Sequence, residues 1–325
     1  FKTFLNNDIT STKTLLHEAI PLTGAIASGT YNTAGATTET YNGTNIKNYA
    51  HGMFQSVFDY PYLSSSANHI YDLTVGYSSG SSLSATLGTN NQVMQKKKIN
   101  IYNEMAQVLV GLDQTGAIRD FDEDGNLAAG GTKLKECIFI NFARLLAKDE
   151  IKKGSFSITL GTGSYSSPFY DATDGYKTMI TISDSGKEND YRVNSPAGEY
   201  AILSCSSGSN PEFTQNPACG LIFYQAGIVV LSSSIFTSGS QDAGIHTANE
   251  GILGSPSTQF GRFDGSSGNL ISGSISAVLT GSAISASCNY LRNRIYDISF
   301  NNTTELNSTM HFCRVNHNDF NYSAN

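Results

Sequence analysis

Charge is scarce in this chain of 325 residues. Asp, Glu, Lys and Arg together make up 14% of it, against about 25% in an average soluble protein. Gly, Ser, Thr and Asn fill the gap, a balance that suits an extracellular or particle-bound β protein better than a helical cytosolic enzyme. The net charge is −7, which disfavours broad nucleic-acid binding, because phosphate neutralisation needs clustered Lys and Arg. No apolar run approaches the roughly 18 residues of a membrane-spanning helix, so no membrane partner is expected. The start carries no secretory pattern, and a first residue of Phe1 rather than Met reads as a trimmed terminus. The five cysteines, Cys137, Cys205, Cys219, Cys288 and Cys313, are far apart and include no CxxC. Odd count and wide spacing argue against a disulfide framework and for buried free thiols. There is no phosphate loop and no dinucleotide fingerprint, so no cofactor is expected.

What the chain does have is strand pattern. The stretch from Thr132 to Tyr165 joins a fully apolar run, Cys137 to Phe142, to a charged corner and then to an alternating strand, Phe156, Ile158, Leu160. The run predicts a central strand buried on both faces, with 156–160 as its neighbour. Tyr71, Leu73, Val75 and Tyr77 alternate along a half-buried strand from His69 to Ser78. Thr14 to Ile20, Tyr176 to Ser183 and Glu199 to Cys205 read as further strands. LIFYQAGIVVL (221–231) reads as a hairpin about Gln225-Ala226-Gly227. Phe54, Val57 and Phe58 suggest a short helical turn. One clear helix, about 101–111, is predicted from Ile101, Met105, Val108, Leu109 and Leu112, with Asn100 as its cap and Gly111 near its end. The preceding Lys96-Lys97-Lys98 reads as a solvated basic end. The fold class is therefore α+β, predominantly β.

Composition shifts along the chain. Eight of 13 lysines lie between Lys96 and Lys153, and only five charged residues fall between Ala201 and Tyr290. Two parts are expected: 1–165, a mixed part with scaffold strands within 137–160, and 166–325, a β-rich part. The second holds a Ser/Gly-rich arm, 232–286, and a C-terminal hairpin, 294–317, turning on its Asn/Thr cluster.

Four motifs invite chemistry, and each has a plainer alternative. Gly76-Tyr77-Ser78-Ser79-Gly80 matches the GxSxG of a nucleophile elbow, but that device needs a helix after the serine and SSLSATLGTNN reads as loop. Asp120, Asp122 and Asp124 with Gly125 begin a calcium-loop pattern, yet its twelfth ligand is replaced by Gly131, and a solvated acidic hairpin tip is preferred. His311, Cys313 and His317 cannot meet at one zinc along an extended strand, because six residues span roughly 20 Å. Asn42, Asn301, Asn302, Asn307 and Asn321 sit in glycosylation patterns expected by chance in so Asn/Ser/Thr-rich a chain. Carboxylates show no readable pairing for acid–base work.

Three stretches also carry a likeness. GGTKLKEC (130–137) running into INFARLLAKDEIKKGSFSITLG (140–161), NPACG (216–220) before the hairpin, and RIY (294–296) through FNNTTELNSTMHFCRVNHNDFNYSAN (300–325) together resemble virion structural proteins of contractile-tailed bacteriophages, especially those of marine cyanobacteria. The resemblance implies a non-enzymatic tail or baseplate subunit, located in the virion, whose partners are copies of itself and other virion proteins in a symmetric assembly. It implies further strands beyond Asn325, and it supplies no catalytic residue. A neck or capsid-associated decoration protein is the alternative within the particle. A glycan-binding adhesin using Tyr49, Tyr60 and Tyr62 is the alternative outside it. The charged corner, Lys148, Asp149, Glu150, Lys152 and Lys153, is the candidate subunit interface, with a solvated turn as the plainer reading.

Overall fold

The structure is a computed structural model that describes residues 9–21, 46–59, 62–85, 92–127, 130–161, 179–206, 218–236, 279–280, 283–292 and 295–311. Its strands are β1 (Ile9–Pro21), β2 (Ile46–Asn48), β3 (Gln55–Phe58), β4 (His69–Tyr77), β5 (Phe121–Asp122), β6 (Lys133–Leu134), β7 (Glu136–Phe142), β8 (Glu150–Ile151), β9 (Ser157–Gly161), β10 (Met179–Ser183), β11 (Arg192–Ser195), β12 (Gly198–Ser206), β13 (Ala218–Phe223), β14 (Ile228–Ser232) and β15 (Ile295–His311). The helices are α1 (Gln92–Leu109), the single turn α2 (Arg144–Ala147) and α3 (Ile284–Arg292). Thirteen strands form one antiparallel sheet in the order β1-β15-β9-β10-β12-β13-β14-β7-β4-β3-β2, with β11 on β12 and β8 on β15, and β5 and β6 make a small separate hairpin. The protein is thus mostly antiparallel sheet with one clear helix, as its composition and alternation implied.

Register explains the core. Paired residues share a face of the sheet. Leu73, Ile140, Val229, Ile222 and Ala201 lie in register across five strands, and Cys205, on the same strand as Ala201, is in register with Ile182, Ile158 and Ile298 on three more. All nine are buried. β15 stands six places from β7 in the sheet order, which in a flat sheet would put them about 29 Å apart. Yet the rings of Phe142 on β7 and Phe300 on β15 lie 4.9 Å apart, and Phe156 is 6.0 Å from Phe142. The sheet is therefore rolled, with these aromatics closing its interior. The run 137–142 is central, flanked by β14 and β4. The expected pairing with 156–160 is corrected: β9 pairs with β15 and β10, and it meets β7 only through that interior. A sequence shows that both strands are apolar, not whether they touch edge to edge or face to face.

The opposite face is covered by α1 and the β5–β6 hairpin. Gly76 on β4 is where the helix comes closest: a Cβ there would stand 2.7 Å from the Lys98 carbonyl oxygen and 2.8 Å from the Tyr102 nitrogen. Tyr102 packs on Phe121 and Phe139 at 5.5 and 6.5 Å, and its hydroxyl donates to the Leu134 carbonyl at 2.8 Å. The strand 69–77 is consequently buried on both faces, not half-buried. α1 begins at Gln92, nine residues before the expected start, and Asn100 lies inside it. Its buried residues include Gln95, Lys98, Ile101, Tyr102, Ala106 and Leu109, so Ile101 and Leu109 of the expected face are buried, whereas Val108 is 62% exposed. Polar residues on the stripe, Gln95 and Lys98, hid the first turns. Gly111, with φ of +78°, ends the helix, its N–H donating to the Ala106 carbonyl.

Other expectations change with pairing. Phe54 to Phe58 is not helical: Gln55–Phe58 is strand β3, held between β2 and β4. The hairpin expected over 294–317 is one continuous strand of 17 residues, β15, because β1 supplies a partner for its Asn/Thr stretch; residues 312–317 lie outside the described ones. Within 232–286, the segment 237–278 also lies outside, while 233–236 is a 3-10 turn and α3 begins at Ile284. Helix α3 had no sequence signal strong enough to read. It packs on the inner face: Arg292 Nε donates to Gln55 Oε1 at 3.1 Å, and Gln55 is the register partner of Leu73. The hairpin about 225–227 is present as β13–β14. β7 and β14, drawn from the two expected parts 1–165 and 166–325, are adjacent strands.

Candidate functional site

The acidic hairpin forms one wall of an open cleft of about 500 Å³, lined among others by Asp113, Ile118, Arg119, Asp120 and Lys133. Asp113 accepts from the Thr115 hydroxyl at 2.7 Å and from the Thr115 and Ala117 N–H groups at 2.8 and 2.9 Å, which hold its carboxyl below the usual range. The three calcium candidates turn to three different partners. Asp120 accepts from the Ser78 hydroxyl at 2.8 Å. Asp122, buried, is in contact with the Lys133 ammonium opposite it on β6. Asp124 accepts from the Asn126 N–H at 3.0 Å. Among the described residues no three His, Cys, Asp or Glu side chains are grouped as a metal ion would need. Burial pushes the Asp122 carboxyl up, and a hydrogen bond shared with Asp122 holds Asp124 down. Of the two carboxyls, Asp122 is therefore the easier to protonate. Burial likewise raises Glu123, with the charges of Asp122 and Asp124 adding to it.

Ser78 of the GxSxG match follows the last residue of β4 and is buried, and its hydroxyl donates to Asp120 while accepting the Gly80 N–H at 3.1 Å. A turn and a 3-10 segment, Ser82–Ala85, follow it. Ser81 and Ser233 donate to the two oxygens of Glu136 at 2.7 and 3.1 Å. These contacts fasten the end of the sheet.

The charged corner splits into inward and outward parts. Lys153 pairs with Glu199 at 2.6 Å and with Glu150 at 3.5 Å, and lies 4.9 and 5.5 Å from the Tyr191 and Tyr224 ring centres. Burial pulls its pKa down, but the Glu199 hydrogen bond and the two carboxylate charges outweigh that and leave it raised. Glu150 belongs to β8, whose neighbour Ile151 is buried against β15. Lys148 takes a left-handed conformation, φ +54°, to close α2. Asp149 is exposed and Lys152 half-buried. An intersubunit contact at this corner would rest on Lys148, Asp149 and Lys152.

The strongest polar groups are ones that the sequence did not reveal. Lys98, taken as part of a solvated end, is fully buried, and its ammonium donates to the Leu279 carbonyl. Lys96 is exposed, and Lys97 donates to the His51 carbonyl at 2.8 Å. Asp184 accepts from the Tyr224 hydroxyl at 2.9 Å and from the Gly154 and Phe156 N–H groups at 2.7 and 2.8 Å. Burial drives its pKa up while those donors pull against it. Its Asp-Ser-Gly context reads only as a turn.

Cys137, Cys205, Cys219 and Cys288 are free and buried, as expected; burial raises the Cys205 and Cys288 thiols to about 12. Asn302 is buried and donates to the Leu146 carbonyl at 2.8 Å, which rules out glycan attachment there in the folded chain. Tyr49 stacks on His51 at 5.0 Å and Tyr62 is 37% exposed. Asn42, Tyr60, Cys313, His317 and Asn321 lie outside the described residues.

Searches among protein families, curated proteins and solved structures each found nothing that matches this chain.

Proposed function

We propose that this protein is a non-enzymatic structural subunit of a bacteriophage virion, of the tail or baseplate, that assembles by strand pairing with copies of itself and with neighbouring virion proteins. The observation that carries this reading is the ribbon made by β1 and the far half of β15. Thr304 to His311 pair with Leu16 to Ile9, eight residues a side or about 27 Å. Beyond Thr303, no other strand among the described residues pairs with β15, and none pairs with the outer edge of β1. A two-stranded ribbon is marginal alone in water, and open edges are templates for another chain. The likeness of 130–161, 216–231 and 294–325 to phage structural proteins supports the same reading, as does the low charge.

Deleting residues 1–21 tests it. Light scattering on purified protein should show assemblies with the full chain and monomers with the shortened one, with circular dichroism unchanged over the rest of the sheet. A full chain that stays monomeric at high concentration and is missing from reconstructed particles would overturn the proposal. Copies found at the neck or on the capsid would replace tail and baseplate with those positions.

A further inference from the structure

We propose that Lys133 and Asp122 are joined by an intramolecular isopeptide bond, formed by the protein itself with Asp124 as the proton carrier. The two residues are direct register partners on β5 and β6. Their amine and carboxyl groups are in contact, with the Asp122 side chain only 1% exposed and that of Lys133 19%. Phe121, Leu134 and Tyr200, all buried, pack around the hairpin, and the Tyr200 hydroxyl donates to the Gly125 carbonyl at 2.7 Å to hold its turn. An amine and a carboxyl held in contact, the carboxyl buried, have the proximity that amide formation otherwise lacks, and burial of the Asp122 carboxyl favours its neutral acid.

A third group is needed to move protons, and Asp124 is in place. Its backbone N–H donates to Asp122 Oδ1 at 3.3 Å, its carboxylate shares a hydrogen bond with that of Asp122, and of the two carboxyls Asp122 is the easier to protonate. That is the arrangement in which Asp122 is the electrophile and Asp124 the base. Asp124 is fixed by Asn126, whose backbone and side-chain nitrogens donate to its two oxygens at 3.0 and 2.5 Å.

The step balances without an oxidant or a co-reactant. The Lys133 ammonium gives one proton to Asp124, and the freed amine attacks Cγ of Asp122, forming the N–C bond. Asp124 passes the proton to a hydroxyl of the tetrahedral intermediate, the C–O bond breaks and water leaves. The nitrogen loses its last extra proton to Asp124, which releases it to solvent and is left as it began; that one proton replaces the one Asp122 took up to become the neutral acid that is attacked. A Lys ammonium and an Asp carboxylate thus become one amide and one water, and a positive and a negative charge disappear together. The link clamps a hairpin only two residues long on each strand, which lies over the outer face of the sheet.

Mass spectrometry of the denatured full chain decides the matter. The expected intact mass is lower than that of the sequence by one water. Trypsin should cut after Arg119 but fail to cut after Lys133, leaving a single peptide from Asp120 to Lys135 closed into a loop between Asp122 and Lys133. Lys133→Arg and Asp124→Ala should each restore the full mass. Asp124-Gly125 could lose water by closing to a succinimide; that product would leave the cut after Lys133 intact and persist in Lys133→Arg, and either result would overturn the proposal. A wild-type chain at full mass with normal cleavage after Lys133 would also overturn it, making the pair an ordinary ion pair. Asp122→Asn adds a positive signature, since amide formation there would release ammonia instead of water.

Discussion

Lys98 offers the sharpest test of the packing described above. It is wholly buried between α1 and the residues leading into α3, with its ammonium on the Leu279 carbonyl. Burial lowers its pKa from 10.5 to about 8, partly opposed by Cys288. The unfolded chain thus holds this proton more tightly than the folded one. Folding carries the full cost of burying the charge below about pH 8 and recovers it as pH rises toward 10.5. At 1.36 kcal/mol per pKa unit, that cost is about 3 kcal/mol. Lys98→Met keeps an unbranched side chain of similar length and removes the titration. Urea unfolding of both proteins at pH 7 and pH 10 should show the wild type gaining about 2–3 kcal/mol on the variant between the two. The raised tyrosines, Tyr71 and Tyr102 among them, titrate in both proteins and cancel in the difference. A wild-type-minus-variant gap that stays constant within about 0.5 kcal/mol, less than half a pKa unit, would refute the burial of this ammonium and with it the placement of Leu279 against α1.

Three further outcomes follow from the same contacts. Phe142→Ala should cost about 3–5 kcal/mol in chemical denaturation, because the ring meets Tyr71, Phe156 and Phe300 where the rolled sheet closes on itself; a loss under about 1 kcal/mol would mean that the roll is held elsewhere. Gly76→Val should lower the thermal midpoint by several degrees and increase protease access to α1, since the added carbons meet helix backbone rather than a side chain that could turn aside. Lys153→Glu should destabilise by about 2 kcal/mol or more by setting a third carboxylate beside Glu150 and Glu199. Lys152→Glu should leave stability within about 0.5 kcal/mol, so Lys152, unlike Lys153, can report on assembly at this corner without also reporting on folding.

Strand character was legible wherever the apolar period was short and strict. Cys137 to Phe142, Tyr71 to Tyr77 and the 221–231 hairpin were readable because alternation and Gly-bearing turns are local properties. β15 was not, since Asn and Thr on an open chain read as a turn until β1 lies beside them. α1 was half legible: Leu109 and Gly111 mark its end, while Lys98 and Gln95 on the buried stripe concealed its beginning. For the same reason the hairpin carrying Asp120, Asp122 and Asp124 was visible as an acidic tip, but Lys133, eleven residues from Asp122, was invisible as its partner.

The sequence by itself determined the class of this protein: low charge, β alternation, free thiols and one long helix follow from composition and from periods of two and 3.6 residues. Tertiary structure alone decided what those elements meet. It rolled the sheet so that Phe142 and Phe300 touch across five intervening strands, turned Lys98 and Lys153 inward, and set an amine on a buried carboxyl. Pairing between distant segments depends on which surfaces are left to bury once local structure has formed, and that information is spread over the whole chain rather than written at any one position.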